Sequence, residues 1–189
     1  IVANTVETPE ILSLYAQSDD HLARILLTPL GFDPDTFGYN ATRATMIRQE
    51  LCLPNSAVVA LLSSRFAPEK ASSIQLILDG FSLAANQSDD LHLLVTGLDD
   101  GPTSARFRHE LRQHPHRQRI HCTQFAHRDR LGDLYHGADI AVFARPSISC
   151  QEALGTGAYG LFADDGSMDW LLTDTTCGST FIEGSKEHL

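Results

Sequence analysis

Several things are scarce or missing in the 189-residue sequence, and each absence excludes something. Basic residues are few. Lys and Arg number 14 against 24 Asp and Glu, giving a formal net charge of −10 and a pI near 5.2. Such a balance argues against a nonspecific grip on nucleic acid or on an anionic membrane surface as the main activity, while leaving room for a local basic pocket. No apolar run approaches the roughly 18–20 residues of a membrane span, so no transmembrane segment is expected. The opening IVANTVETPE lacks the basic start and apolar stretch of a signal peptide. Cys52, Cys122, Cys150 and Cys177 contain no C-x-x-C pair, which makes zinc and a disulfide framework poor readings. Reduced thiols of the cytoplasm fit better. The first residue is not Met, and IVANT opens as if inside a strand, so we expect a piece of a longer protein. Low-complexity segments and repeats beyond a β-α unit are also missing. Finally, no acid stands between Ile140 and Gln151.

What is present is ordinary globular composition, 42% hydrophobic and 20% charged, enough for one α/β domain with a real core. From residue 57 onward, short apolar runs alternate with amphipathic stretches, each closed by turn chemistry. Strands are expected at AVVALLS, LHLLVTG, RIHCTQF, DIAVFA and YGLFAD. Helices are expected at SSIQLILDGFSLAAN, TSARFRHELRQH, RDRLGDLYHGA with Asp129 as cap, and SCQEALGT. Strands apolar on both faces and separated by helices make a parallel sheet covered on both sides. The first 56 residues are less regular: Thr8 to Gln17 reads as a helix with Pro9 at its first position, ARILLTPLG as a strand and turn, and Ala41 to Leu51 as a helix. The loops SSRFAPEK, TGLDDG, CTQFAHRD and RPSIS all follow strands and therefore share the carboxyl edge of the sheet, where ligands of such folds gather.

Arg65 and Lys70 stand in the first of those loops, beside a helix start. A forked guanidinium and a mobile ammonium at that place suit a phosphate or diphosphate, whereas solvated surface charge is the plainer reading. Glu152 has two readings. It completes an S-x-x-E capping box with Ser149, or it serves as a ligand for something bound above the strand end. Of the nine histidines, His109, His114, His116, His121 and His127 crowd together without an H-x-x-x-H pair, so solvated loop histidines are the better reading than a metal site. Ser147 in PSISC lacks the G-x-S-x-G setting of a nucleophile, and Asp99-Asp100 reads as a turn.

LTPLGFDPDTF, LLSSRFAPEKASSIQLILDGF, LLVTG, LYHGADIAVF and QEALGTG, taken in order and spacing, resemble the C-terminal half of retaining nucleotide-sugar glycosyltransferases of the GT-B fold, family 4 type. The resemblance spans roughly residues 25 to 175. It implies a Rossmann-like parallel sheet with helices on both faces over residues 25–189, truncated at both ends, with residues 1–24 as an inter-domain remnant. The partners implied are a nucleotide-sugar and a missing N-terminal acceptor domain, with no nucleic acid.

Arg65 and Lys70 match the family's diphosphate-holding pair and are the expected catalytic residues. Glu152 matches the second acid of the Glu-x7-Glu motif, which accepts ribose hydroxyls, and the loop from Cys122 through Phe125 to Ala126 matches the segment that meets the base. Ser64, Gly97, Ser147 and Ser149 complete the expected donor-binding set. The first acid of the motif falls on Ala144, and Ser63-Ser64 replaces the usual glycine before Arg65. The expected function is transfer of a sugar, hexosyltransferase type, from NDP-sugar to a glycan or other acceptor, as in polysaccharide assembly. No metal or other cofactor is expected. The full-length protein is expected in the cytoplasm, with peripheral membrane attachment an option, and this piece alone is expected to be inactive. A catalytically inactive nucleotide-binding homologue or structural α/β module is the alternative.

Overall fold

Two short strands, β1 (Val2–Ala3) and β2 (Leu26–Leu27), pair in parallel in the computed structural model, which describes residues 2–3, 26–27, 31–145, 147–166, 168–172, 176–182 and 184–189. The helix expected at Thr8 to Gln17 and the division expected at residue 25 lie outside the described residues. The main sheet has six parallel strands: β3 (Val58–Ser63), β4 (Leu91–Leu98), β5 (Ile120–Gln124), β6 (Ile140–Phe143), β7 (Tyr159–Ala163) and β8 (Gly178–Phe181). Around it lie α1 (Pro34–Phe37), α2 (Ala41–Glu50), α3 (Ala71–Ala85), α4 (Pro102–Arg112), α5 (Arg128–His136), α6 (Ile148–Gly155) and α7 (Asp169–Leu172).

The fold is an α/β Rossmann-like sheet, and alternation along its strands explains why. Val59 and Leu61 of β3, Leu94 of β4 and Ala141 and Phe143 of β6 face one cluster, shared with Ile47 of α2, Leu134 of α5 and Ala153 of α6. Their neighbours Ala60, Leu62, Leu93, Val95 and Val142 face a second cluster with Ile74, Ile77 and Phe81 of α3 and Phe107 and Leu111 of α4. Both faces are buried, so neither can be polar. Each Leu or Phe removed from water contributes about 1.5–3 kcal/mol.

Strand order is β5-β4-β3-β6-β7-β8. The chain moves outward from β3 to β5, then crosses back to place β6 on the other side of β3. A crevice therefore opens between the carboxyl ends of β3 and β6, the usual ligand position in such sheets. At their amino ends the same strands are locked. The Arg48 guanidinium donates to the Asp139 carboxylate at 3.1 Å and also reaches the Ala57 carbonyl, while Asp139 accepts the Val59 N–H at 2.8 Å.

Helix starts depart from expectation in two places. His127, not Asp129, holds the cap position of α5; Asp129 lies in its first turn, where a negative charge still complements the helix dipole. The capping box of α6 belongs to Ser147 and Cys150, not to Ser149 and Glu152. There the Ser147 N–H donates to Cys150 Sγ at 3.3 Å, and the Cys150 N–H donates to the Ser147 carbonyl at 3.0 Å. The helix begins earlier than SCQEALGT suggested, which moves Glu152 beyond the cap. α1, α7 and β8 were not anticipated: the two helices span four residues each and GSTF carries one fully buried side chain, Phe181.

Candidate functional site

After β3 the chain leaves the sheet as Ser64-Arg65-Phe66. Phe66 is buried edge-on against Phe107, ring centroids 5.0 Å apart, which fixes the loop and leaves Arg65 exposed. A 3-10 turn, Pro68–Lys70, then feeds α3, with half-buried Lys70 in the cap position. Cations beside a helix start oppose its dipole, so this placement favours the fold only when an anion joins them. Neither Arg65 nor Lys70 makes an ion pair among the described residues.

A cavity of about 250 Å³ occupies the crevice. Of the expected donor-site residues, it brings together Ser64, Arg65, Lys70, Gly97, Phe125, Ser147 and Ser149. Arg145, which follows β6, lines the opposite wall, and no Asp or Glu is among the described lining residues. The walls offer cations and hydroxyls to an anionic, hydroxyl-bearing ligand.

Several lining residues have identifiable local causes. Gly97 has φ +101°, and a Cβ there would lie 2.0 Å from the Ser64 carbonyl oxygen, so only glycine lets the β3 loop pass so close to β4. The serines before Arg65 turn away from crowding: Ser63 Oγ meets the Tyr135 hydroxyl at 2.8 Å, and Ser64 Oγ donates to the Arg65 carbonyl at 3.1 Å. Tyr135, fully buried on α5, thus holds Ser63 of one wall from beneath, and the Ser149 side chain of the other wall lies near enough to act on its phenol. Burial pushes its phenol pKa up. Thr96 lines the cavity with a buried Oγ1 that has no partner among the described residues, a condition that costs about 1–3 kcal/mol if left unmet. Ala144 packs against the α3-side core and presents only a methyl group where the resemblance places an acid.

Two expected site residues lie outside the cavity lining. Cys122 is exposed on the edge strand β5. Glu152 is half-buried on α6, where burial raises its carboxyl pKa and the Arg128 guanidinium pulls it the other way. Arg128 lies 5.6 Å over the Phe37 ring and 3.6 Å from Asp33. Glu152 therefore has Arg128, not Arg65 or Lys70, as its nearby cation. Phe125, 61% exposed, is part of the cavity lining.

Elsewhere the histidines are used in packing. His114 Nε2 meets Ser82 Oγ at 2.8 Å, His116 Nε2 meets Asn86 Oδ1 at 3.0 Å, and Arg119 reaches His116 Nδ1 at 2.7 Å, tying α3 to the α4–β5 connection. Among the described residues no group of three His, Cys, Asp or Glu is placed to hold a metal ion. Asp99 accepts from the Gly101 N–H at 2.9 Å and from Ser104 Oγ at 2.6 Å, closing the turn into α4. No described helix is long and apolar enough to cross a membrane. Sequence reasoning missed Arg145, Thr96 and Tyr135. Arg145 carried a signal, being a cation directly after a strand expected to end at the ligand edge. Thr96 and Tyr135 acquire their places only through strand order and helix packing.

The profile of the family Glycosyl transferases group 1 matches residues 44–187, three-quarters of the chain and the whole cavity lining. The chain belongs to the group 1 glycosyl transferases. Its fold is that of GT-B members. The Anabaena Alr3699/HepE structure in complex with UDP and glucose superposes with a TM-score of 0.75 at 15% identity, covering 99% of this chain and 50% of that one. WaaG, a glycosyltransferase involved in lipopolysaccharide biosynthesis, gives 0.73 at 18%, covering 98% and 50%. The C-terminal domain of the group 1 protein LpcC from Francisella tularensis gives 0.66 at 18%, covering 83% of each chain. A search of curated protein sequences returns no match. The group 1 chain described here thus spans about half the length of full-length relatives such as HepE and WaaG.

Proposed function

We propose that this group 1 chain is the donor-binding half of a retaining, hexose-transferring glycosyltransferase, which binds an NDP-sugar and delivers the sugar to a glycan or other acceptor. One observation carries the reading: cations from two loops, without an ion pair among the described residues, surround a cavity whose described lining holds no carboxylate, at the crossover point of a parallel sheet. That HepE was solved with UDP and glucose supports a nucleotide-sugar as the ligand class. In the reaction the bond between the anomeric carbon and the diphosphate oxygen breaks, its electron pair leaving with the diphosphate, while an acceptor hydroxyl oxygen bonds to that carbon on the same face and gives its proton to the departing diphosphate. Arg65 and Lys70 stabilise that charge as it develops, the kind of fixed electrostatic help that supplies much of an enzyme's rate. Side chains, not a metal, carry that neutralisation in this proposal. Ser147 and Ser149 offer hydroxyls to the ligand. Glu152, beside the cavity, and Phe125, in its lining, take the ribose and base, with the Cys122 strand supporting the base loop.

The acceptor half lies in this proposal on another part of the protein, in keeping with the half-length match to HepE and WaaG, and the present chain alone binds donor without turnover. Free thiols at Cys52, Cys122 and Cys150 support a cytoplasmic setting. Calorimetric titration of UDP, GDP and ADP, and of their sugars, into the chain and into Arg65→Ala and Glu152→Ala tests the reading. Binding of one nucleotide that weakens in both variants is the expected result, and absence of binding by all of them would overturn it. A second reading, a homologue that binds nucleotide without catalysis, is favoured by the methyl group of Ala144 at the cavity wall. Turnover by the full-length protein separates the two.

A further inference from the structure

The crevice holds one cation more than a diphosphate needs. Among the described arginines, Arg43, Arg48, Arg106, Arg128 and Arg130 are ion-paired, and Arg108, Arg117 and Arg119 donate to backbone carbonyls. Arg112 lies in the last turn of α4, where the helix dipole accepts a positive charge. That leaves Arg65 and Arg145, and both line the cavity. Among the described residues, the guanidiniums without such a partner are thus the two that line the cavity from the loops after β3 and β6, together with Lys70 and with no acid in the described lining.

On the donor-site reading above, from which this step proceeds, the diphosphate of an NDP-sugar carries two negative charges. Arg65 and Lys70, from the same loop and helix start, match them. Arg145 comes from the loop after β6, on the far side of the crevice, where it is exposed, and a neutral sugar would leave it to water alone, with no carboxylate among the described residues that line the cavity. The Ala144 methyl beside it supplies no partner.

We propose that the donor sugar itself carries a carboxylate, and that Arg145 holds it: the substrate class is a nucleoside diphosphate glycuronic acid. A planar guanidinium is suited to this task because its forked N–H groups fit both oxygens of a carboxylate, which a point-charge ammonium does not. Such a fork favours a donor that carries the acid over one that lacks it, by a margin that water around the exposed Arg145 keeps moderate.

The test compares UDP-glucuronate with UDP-glucose, and GDP-mannuronate with GDP-mannose, by calorimetry on the chain, with UDP and GDP alone as references. The expected result is at least tenfold tighter binding of the acid-bearing donor than of its neutral counterpart. In Arg145→Gln that ratio falls to near one, and in Arg145→Lys it is partly kept. Thermal unfolding of each variant shows whether it is folded, and the neutral donor reports on the rest of the site. Nucleotide binding with a ratio near one in the unaltered chain overturns this inference and leaves the donor site standing. A ratio that survives Arg145→Gln overturns the assignment to Arg145. Absence of binding by every nucleotide overturns the donor site and this inference with it.

Discussion

The two ends of β3 and β6 treat positive charge in opposite ways. At the amino ends, Arg48 is surrounded by acceptors: the Asp139 carboxylate, the Gly137 carbonyl and the Ala57 carbonyl, while Asp139 also takes the Val59 N–H. At the carboxyl ends, Arg65, Lys70 and Arg145 line a cavity without a carboxylate and make no ion pair among the described residues. The same two strands thus carry a satisfied charge network below and an unsatisfied one above. Folding alone explains the first, since a guanidinium is held best where every N–H is used. It does not explain the second, because like charges gathered beside a helix start cost free energy. On the proposed function, an anionic ligand is what balances these charges.

That contrast breaks most visibly through binding. Replacing Arg65 and Lys70 together by alanine is expected to weaken nucleotide diphosphate binding about 100-fold or more, since each charge-assisted contact is worth about 1.5–3 kcal/mol. The thermal midpoint should hold or rise as mutual repulsion is relieved. Calorimetry and thermal unfolding together decide this, and a fall in midpoint without a loss of affinity would place these cations in the fold instead. Asp139→Ala is the mirror experiment and the next largest effect. It strands Arg48 and the Val59 N–H, and because Asp139 is partly solvated the expected loss is about 1–2 kcal/mol in urea unfolding. Nucleotide affinity should be unchanged.

How much of this contrast was legible in the sequence differs between the two ends. The strands were readable because both faces of each are apolar, and their carboxyl ends could be assigned to the ligand edge before strand order was known. Arg65 and Lys70 could be picked out for the same reason. The amino-end lock could not, because Arg48 and Asp139 lie far apart in the chain and meet only when β6 settles beside β3. The α6 cap was misread for a local reason. Ser147 and Ser149 both precede a residue three positions on that can accept, and the acid at Glu152 looked the better acceptor than the thiol of Cys150. Backbone geometry starts the helix at Ile148 and gives the role to Cys150. Tyr135 lies within the expected helix RDRLGDLYHGA and carried no signal of its own. Its hydroxyl matters because the fold brings Ser63 and Ser149 to it from the two walls.

Tyr135→Phe removes that hydroxyl while keeping the ring and its packing 5.9 Å from Phe37. The Ser63 hydroxyl loses its partner beneath the cavity, and Ser149 loses a neighbouring hydroxyl. The expected cost is about 1 kcal/mol in stability, with a few-fold loss of nucleotide affinity as Ser149 gains freedom. The affinity change is the informative part, because a purely structural tyrosine would lower stability alone.

Acid should separate the two ends with the smallest effect of the set. His92 and His121, second residues of β4 and β5, meet at 3.0 Å on the amino side of the sheet. Burial is the main cause that holds both pKa values below the ordinary histidine range; at His92 Arg119 and Arg48 add to it and Asp90 opposes it, and at His121 His92 and Arg117 add to it. A lowered folded-state pKa means that the unfolded chain takes up protons first as pH falls below about 6.5. Stability is therefore fully present above that pH and is lost as pH drops toward the folded-state values. Urea midpoints at pH 7.5 and 5.5 should differ by less than about 1 kcal/mol from this source, and His121→Gln should shrink the difference. Glu152 runs the other way in both respects. Burial raises its pKa, so the native state takes up the proton first, and protonation relieves a burial cost. Stability from this group grows as pH falls through the raised value, while a carboxylate needed for ribose hydroxyls loses acceptor strength, so nucleotide affinity declines over the same interval. Measuring affinity and midpoint across one pH series, with Glu152→Gln as reference, tests both directions: an affinity that falls with pH equally in Glu152→Gln would remove Glu152 from the ligand contacts.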